Sequence, residues 1–98
     1  MVKQITWEAK ADKTFEEIAA YLQDEYSNKV AMKFAEDVYE KLDLLVLYPE
    51  IGHPSLIDPT VRMVKIGKNH LMFYRCDGYE LIIVDIFNTR QDPKMRKY

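Results

Sequence analysis

Apolar residues in the first half of the chain recur every three or four positions, which is the period of an amphipathic α-helix. They follow a short segment, residues 2–7, whose alternating pattern predicts a first β-strand. The helical period predicts one helix from residue 8 to about residue 26 and a second helix with Ser27 as its N-cap. Pro49 and Gly52 are expected to end the second helix.

The second half of the chain changes to the pattern of β-strands. Segments rich in β-branched and aromatic residues predict strands at residues 61–66, 71–76 and 80–87, and residues 77–79 form a hairpin signal between the last two. Consecutive strands linked in this way form an antiparallel meander, and the N-terminal strand must pair with one of its members. The predicted fold class is therefore α+β, in which an N-terminal strand precedes an antiparallel helix hairpin packed on one face of a twisted antiparallel β-sheet.

The apolar stripes of the helices predict one core between helices and sheet. Its expected members are Phe15, Ile18, Leu22, Phe34, Val38, Leu42, Val64, Ile83 and Ile86. Phe73 and Tyr74 are neighbours on one strand and point to opposite sides, so only one of them is expected under the helices.

Length and composition predict a single domain over residues 1–98, because 98 residues with three glycines and four prolines suit neither a disordered chain nor a repeat array. The only cysteine, Cys76, excludes an intrachain disulfide and is interpreted as an ordinary strand residue. His53 and His70 show no metal-ligand spacing, so neither a metal nor a cofactor is expected. The N-terminus lacks the apolar stretch of a signal peptide and no segment reaches membrane-spanning length, so the expected location is the cytoplasm, with no membrane partner.

Charge is distributed unevenly along the chain. Residues 1–50 contain six lysines and eleven acidic residues, a net charge of −5, whereas residues 51–98 contain eight basic and five acidic residues, a net charge of +3. The second half is therefore the half expected to face an anionic target. Its last part holds a basic cluster opposed only by Asp92, consisting of Arg90, Lys94, Arg96 and Lys97.

Two arginines are the candidate functional residues. Arg90 follows the last predicted strand, where a rigid scaffold holds a side chain that is free to meet a ligand. Arg62 lies on the strand at residues 61–66, and the two arginines together predict a paired cationic site on one sheet. His70 has a suitable pKa for a general base, but its place in a turn favours an ordinary surface histidine.

A set of residues spread along nearly the whole chain forms a pattern through its order and spacing. They are Trp7, Ala11, Phe15, Ile18, Tyr21, Leu22, Ala31, Phe34, Leu45, the Pro49-x-x-Gly52 motif, Arg62, Phe73 to Arg75, and residues 86–93. In this order and spacing the chain resembles the RelE/ParE superfamily of toxins from bacterial type II toxin-antitoxin modules. The resemblance implies a small cytoplasmic toxin of the plasmid stabilisation type, held inactive in an oligomer with a cognate antitoxin encoded beside it.

One branch of this superfamily, the RelE-like branch, cleaves mRNA on the ribosome by activating a ribose 2′-OH against the neighbouring phosphate. Such a reaction needs a general base, a general acid and cations near the developing phosphorane charge. The resemblance then implies catalytic roles for Arg62, Arg90 and the terminal aromatic Tyr98. The sequence offers no convincing general base and lacks the dense lysines of many ribosome-directed members.

The ParE-like branch instead poisons DNA gyrase and stabilises its cleaved DNA complex. The long paired helices, the Pro49-x-x-Gly52 break and the ending at residues 89–93 fit this branch better, so we favour it. It implies target contacts by Arg90, Lys94, Arg96 and Lys97, and a structural Arg62 paired with a carboxylate. The alternatives are a ribosome-dependent mRNA endoribonuclease and an inactive homologue that only binds its antitoxin. The antitoxin is expected to bind as a helix and an added strand, with acidic residues over Arg62 or the basic cluster.

Overall fold

The computed structural model of the protein describes residues 2–90 and residue 98. Its helices are α1 (Ala9–Glu25) and α2 (Asn28–Leu47). Its strands are β1 (Gln4–Trp7), β2 (His53–Pro54), β3 (Arg62–Ile66), β4 (His70–Asp77) and β5 (Glu80–Asn88). The strands form one sheet in the order β1-β5-β4-β3-β2, and α1 packs on α2 and on β5. The predicted α+β class is confirmed.

The sheet is mixed rather than wholly antiparallel. The strands β2, β3, β4 and β5 are joined by antiparallel pairs, as the hairpin signals predicted, whereas β1 lies parallel to β5 with Gln4 opposite Glu80 and Trp7 opposite Ile83. The two strands are separated by most of the chain, so no hairpin fixes their direction and the alternating pattern carries no information about it. The short strand β2 was not predicted.

The helix boundaries agree with the sequence to within a residue or two. The Oγ of Ser27 accepts a hydrogen bond from the backbone N–H of Val30 at 3.2 Å, which confirms Ser27 as the N-cap of α2. Glu8 occupies the same position before α1, but its side chain makes no capping hydrogen bond. Only Tyr26 and Ser27 separate the two helices.

The predicted core between helices and sheet is confirmed. Phe34, Val38 and Leu42 of α2 are buried together with Val64, Ile83 and Ile86 of the sheet. The α1 side chains Phe15, Ile18 and Leu22 are partly buried against the same cluster. Tyr74 belongs to this cluster and is fully buried.

A second apolar cluster forms apart from this core. It consists of Val61, Phe73, Val84 and Phe87, and Tyr98 packs on it with its ring centroid 5.4 Å from that of Phe73. Phe73 and Tyr74 are therefore both buried, one in each cluster. The sequence pattern predicted one apolar face, but strands buried on both faces carry apolar residues at consecutive positions, as residues 81–84 do.

Two glycines with positive φ close the strand connections. Gly78, with a φ of 61°, is the first of two residues between β4 and β5, which is the position that a type II′ hairpin turn gives to glycine. Gly67, with a φ of 57°, begins the turn between β3 and β4. In residues 2–90 no helix is long and apolar enough to cross a membrane.

Candidate functional site at the two ends of the sheet

The two candidate arginines lie at opposite ends of the sheet. Arg62 is level with Tyr74 of β4 and, through it, with Ile83 of β5. Arg90 lies beyond Asn88, the last residue of β5, which is about 16 Å further along that strand. The prediction of a paired cationic site is therefore wrong, because β3 and β5 run in the same direction and the two arginines stand at opposite ends of them.

Arg62 holds the loop that follows α2. Its guanidinium Nη1 donates to the backbone carbonyl of Gly52 at 2.8 Å and to that of Glu50 at 3.1 Å. The expectation that a carboxylate pairs with Arg62 is wrong, since no ion pair joins this side chain to residues 2–90 and carbonyl oxygens take its hydrogen bonds instead. The fold therefore uses Nη1 of this guanidinium to hold the loop.

Tyr74 holds the same loop through two hydrogen bonds of its hydroxyl. Its hydroxyl donates to the Pro49 carbonyl at 2.7 Å and accepts a hydrogen bond from the backbone N–H of Gly52 at 3.0 Å. Burial raises the pKa of this phenol, so it stays protonated and able to donate. We call Arg62, Tyr74, Pro49 and Gly52 the loop anchor.

The loop anchor explains the Pro49-x-x-Gly52 motif. A Cβ atom on Gly52 would lie 2.5 Å from the Tyr74 hydroxyl oxygen and 3.0 Å from the Met63 carbonyl oxygen, so only glycine fits there. Sequence reasoning found the motif but missed its partner Tyr74. The available signal was a tyrosine in the middle of a predicted strand, because a buried tyrosine hydroxyl usually finds a hydrogen-bond partner.

Arg90 stands at the other end of the sheet on a well-fixed backbone. Both the N–H and the hydroxyl of Thr89 donate to the Asn69 carbonyl, at 2.7 and 3.1 Å, and the Arg90 N–H donates to Oδ1 of Asn88 at 2.9 Å. The Arg90 side chain is exposed and makes no ion pair with residues 2–90. The other predicted target-binding residues, Lys94, Arg96 and Lys97, lie outside the described residues.

His70 is near Arg90 and is not the surface histidine that its sequence position indicated. It is the first residue of β4, paired with Ile66 and Asn88 on its two sides, and its ring centroid lies 4.9 Å from that of Phe34 on α2. Only 8% of the residue is exposed. Burial and, secondarily, the charge of Arg90 lower the pKa of the imidazole, so His70 is neutral at pH 7.

The two arginines proposed for RNA cleavage do not converge. Arg62 is held in the loop anchor, Arg90 lies at the far end of the sheet, and Tyr98 packs on Phe73 in the second cluster. Within residues 2–90 and 98, no group of three or more His, Cys, Asp or Glu side chains could hold a metal ion.

Solved structures share this fold. The chain resembles a structure described as the chromosomal ParDE TA system from P. aeruginosa, with a TM-score of 0.76 and 24% identity over 92% of this chain and 98% of that one. It also resembles a YoeB/ParE toxin from Agrobacterium tumefaciens, with a TM-score of 0.66 and 14% identity over 88% of this chain and 98% of that one. A conserved hypothetical protein from Helicobacter pylori gives a TM-score of 0.52 and 17% identity over 90% of this chain and 94% of that one.

Identities this low establish a common fold and no more. No curated protein sequence matches the chain significantly. The sequence model of one family, described as ParE toxin of type II toxin-antitoxin system, parDE, matches residues 5–93. That match covers nearly the whole chain, from β1 through the helix hairpin and the meander to the segment after β5. The chain therefore belongs to the ParE toxin family of type II toxin-antitoxin systems.

Proposed function

We propose that this protein is a toxin that acts on DNA gyrase and is neutralised by a cognate antitoxin. The observation that carries the choice of target is the position of Arg62, which is bound to the Glu50 and Gly52 carbonyls and lies at the opposite end of the sheet from Arg90. An RNA-cleaving site needs its cations around one developing charge, within hydrogen-bonding distance of it. A poison that holds a protein–DNA complex needs only a binding surface.

Arg90 is the centre of the proposed target contact. Its backbone is fixed by the hydrogen bonds of Thr89 and Asn88, so an exposed cation is presented at a defined place. A guanidinium presents donors in a rigid fork that suits carboxylates and phosphates equally. The basic residues Lys94, Arg96 and Lys97, which follow in the sequence, add to the same positive charge.

An antitoxin partner is supported by the family and by a strand edge that has no partner strand in the described residues. The strand β2 pairs only with Arg62 and Met63, so the outer edge of β3 over residues 64–66 has no strand partner in the described residues. Lys65 and Lys68 flank that edge and Lys41 faces it from α2. An added strand with acidic side chains would satisfy the open edge and these charges together.

The apolar surface of the helices favours the same kind of partner. Large apolar side chains remain exposed on both helices and between them, namely Tyr21, Tyr26, Val30, Met32, Tyr39, Leu44 and Leu47. Exposed apolar area on a domain of this size is costly, and an amphipathic helix laid on it would bury that area. Antitoxin binding should therefore raise the melting temperature of the toxin, because a ligand that binds only the folded state stabilises it.

The test is a pair of assays on the purified full chain. We expect inhibition of gyrase supercoiling with accumulation of cleaved DNA, and no mRNA cleavage with or without ribosomes. Added antitoxin should abolish the gyrase effect. Ribosome-dependent mRNA cuts with normal supercoiling would instead assign the RelE-like activity, and no effect in either assay would leave an inactive antitoxin-binding homologue.

A further inference from the structure

Arg90 has a cationic neighbour at its end of the sheet. Just beyond the paired residues of β4 and β5, Thr89 donates two hydrogen bonds to the Asn69 carbonyl, at 2.7 and 3.1 Å. One residue further out on each side are Lys68 and Arg90. Their Cα atoms are therefore no more than about 14 Å apart. Side chains as long as those of lysine and arginine can reach one common ligand across this separation.

Two further lysines extend this pair toward α2. A groove of about 830 Å³ lies between α2 and the turn that joins β3 to β4. Its lining includes Lys68, together with Lys65 near the end of β3 and Lys41 on α2. Asn69, which accepts the two hydrogen bonds that precede Arg90, also lines the groove. We call these four cations the basic row: Lys41, Lys65, Lys68 and Arg90.

Positive charge exceeds negative charge along the basic row. No ion pair joins its members to the described residues, and all of them except Lys41 are exposed. Of the two acidic residues that line the groove, Asp37 is bound to Lys33 at 2.8 Å, so Glu40 is the carboxylate that opposes the row there. Glu17 of α1 lines the neighbouring cavity and lies 3.9 Å from a lysine of its own helix. The remaining excess of cations favours an anionic ligand.

The extent of the basic row indicates the kind of anion. The strands β3 and β5 lie on either side of β4, so the row spans about 10 Å between these two strands, and Lys41 on α2 extends it further. A single carboxylate or free phosphate would reach only part of this length. Each strand of duplex DNA presents a phosphate every 3.4 Å or so along the helix axis, so its backbone can meet several members of the row at once. The length of the row therefore favours a continuous polyanion.

We propose that the basic row binds the phosphate backbone of duplex DNA directly. Lys65 and Lys68 contact phosphates as point charges, and Arg90 contacts one with the fork of its guanidinium. The proposal rests on the proposed function only for the source of the DNA, which is the duplex held by gyrase. Because the same lysines flank the open edge of β3, an antitoxin strand bound at that edge excludes the DNA.

The experiment measures the fluorescence anisotropy of a labelled DNA duplex of about 20 base pairs while the purified full chain is added, at several salt concentrations. We expect saturable binding that weakens as salt is raised, because each phosphate contact releases counterions. Lys68→Gln and Arg90→Gln should each lower the affinity about fivefold or more at about 0.1 M salt, and reduce the slope of log affinity against log salt by about one. Lys3→Gln and Arg75→Gln remove the same charges near the other end of the sheet and should leave affinity and slope nearly unchanged.

Three results would overturn the proposal: no saturable binding of the duplex, equal weakening by the basic-row variants and the two control variants, or equal affinity for a labelled poly-L-glutamate of the same charge. The last result would assign the basic row to an acidic protein segment. Lys68 and Arg90 are exposed, so their substitution should not unfold the chain, and unchanged melting temperatures verify this. Gyrase poisoning by a chain that does not bind DNA would remove only the role of the basic row. DNA binding by a chain that leaves gyrase unaffected would support the basic row and remove only the proposed target.

Discussion

Removing the Tyr74 hydroxyl tests the loop anchor directly. Tyr74→Phe removes two hydrogen bonds, the 2.7 Å bond to the Pro49 carbonyl and the 3.0 Å bond from the Gly52 N–H, without changing the packing of the ring. A neutral hydrogen bond contributes about 0.5–1.5 kcal/mol net, and a buried donor left without a partner costs about 1–3 kcal/mol. Gly52 is buried, so we expect the free energy of unfolding to decrease by about 2–3 kcal/mol.

Urea unfolding followed by circular dichroism measures this change. A loss of this size corresponds to a decrease in melting temperature of about 10 °C or more for a domain of this length. Tyr79→Phe is the matched control, because Tyr79 is 64% exposed and should change stability by less than about 0.5 kcal/mol. If Tyr74→Phe were as stable as Tyr79→Phe, the Tyr74 hydroxyl would not hold the loop.

Three further predictions concern the core, the loop and pH. Phe34→Ala should lower the free energy of unfolding by about 3–5 kcal/mol and unfold much of the chain. Met32→Ala, two positions away and 63% exposed, should lower it by less than about 1 kcal/mol. Equal losses in thermal unfolding would mean that the buried face of α2 is misassigned. Gly52→Ala should lower the melting temperature and Gly52→Ala/Tyr74→Phe should lower it by less than the sum of the two, because both act on one contact. The pKa of His70 is lowered in the folded state, so its contribution to the free energy of unfolding is present above pH 6.5 and is lost as the pH falls through the folded pKa. His70→Gln should therefore flatten the dependence of stability on pH over that range, whereas His53→Gln should not. Equal pH profiles for the two variants would contradict the burial of His70.

Local pattern was sufficient for both helices and for four of the five strands in the described part of the chain. The 3.6-residue period of α1 and α2, the Ser27 cap and the Gly78 turn are each decided by residues a few positions apart, and all are present in the structure. The direction of β1 was not predictable, because its partner β5 is more than 70 residues away and alternation looks the same in either direction.

The candidate site depended on contacts between distant segments, and here the sequence was less informative. The sequence predicts Arg62 either as half of a cationic site or as a structural residue paired with a carboxylate. In the structure its acceptors are the backbone carbonyls of Glu50 and Gly52, which no side-chain pattern reveals. His70 was assigned to the surface because it borders a turn, but a residue at the start of a central strand is covered by whichever helix crosses it. Arg90 alone was placed as expected, exposed after the last strand.

The measurement that tests the account most directly is gyrase supercoiling with accumulation of cleaved DNA, performed on the wild-type chain and on Arg90→Ala and Arg75→Ala, each purified as a folded toxin. The account predicts that the wild-type chain and Arg75→Ala inhibit supercoiling and accumulate cleaved DNA, and that Arg90→Ala loses most of this effect while still binding the antitoxin. Normal supercoiling with the wild-type chain, together with ribosome-dependent mRNA cleavage that Arg90→Ala abolishes, would contradict it.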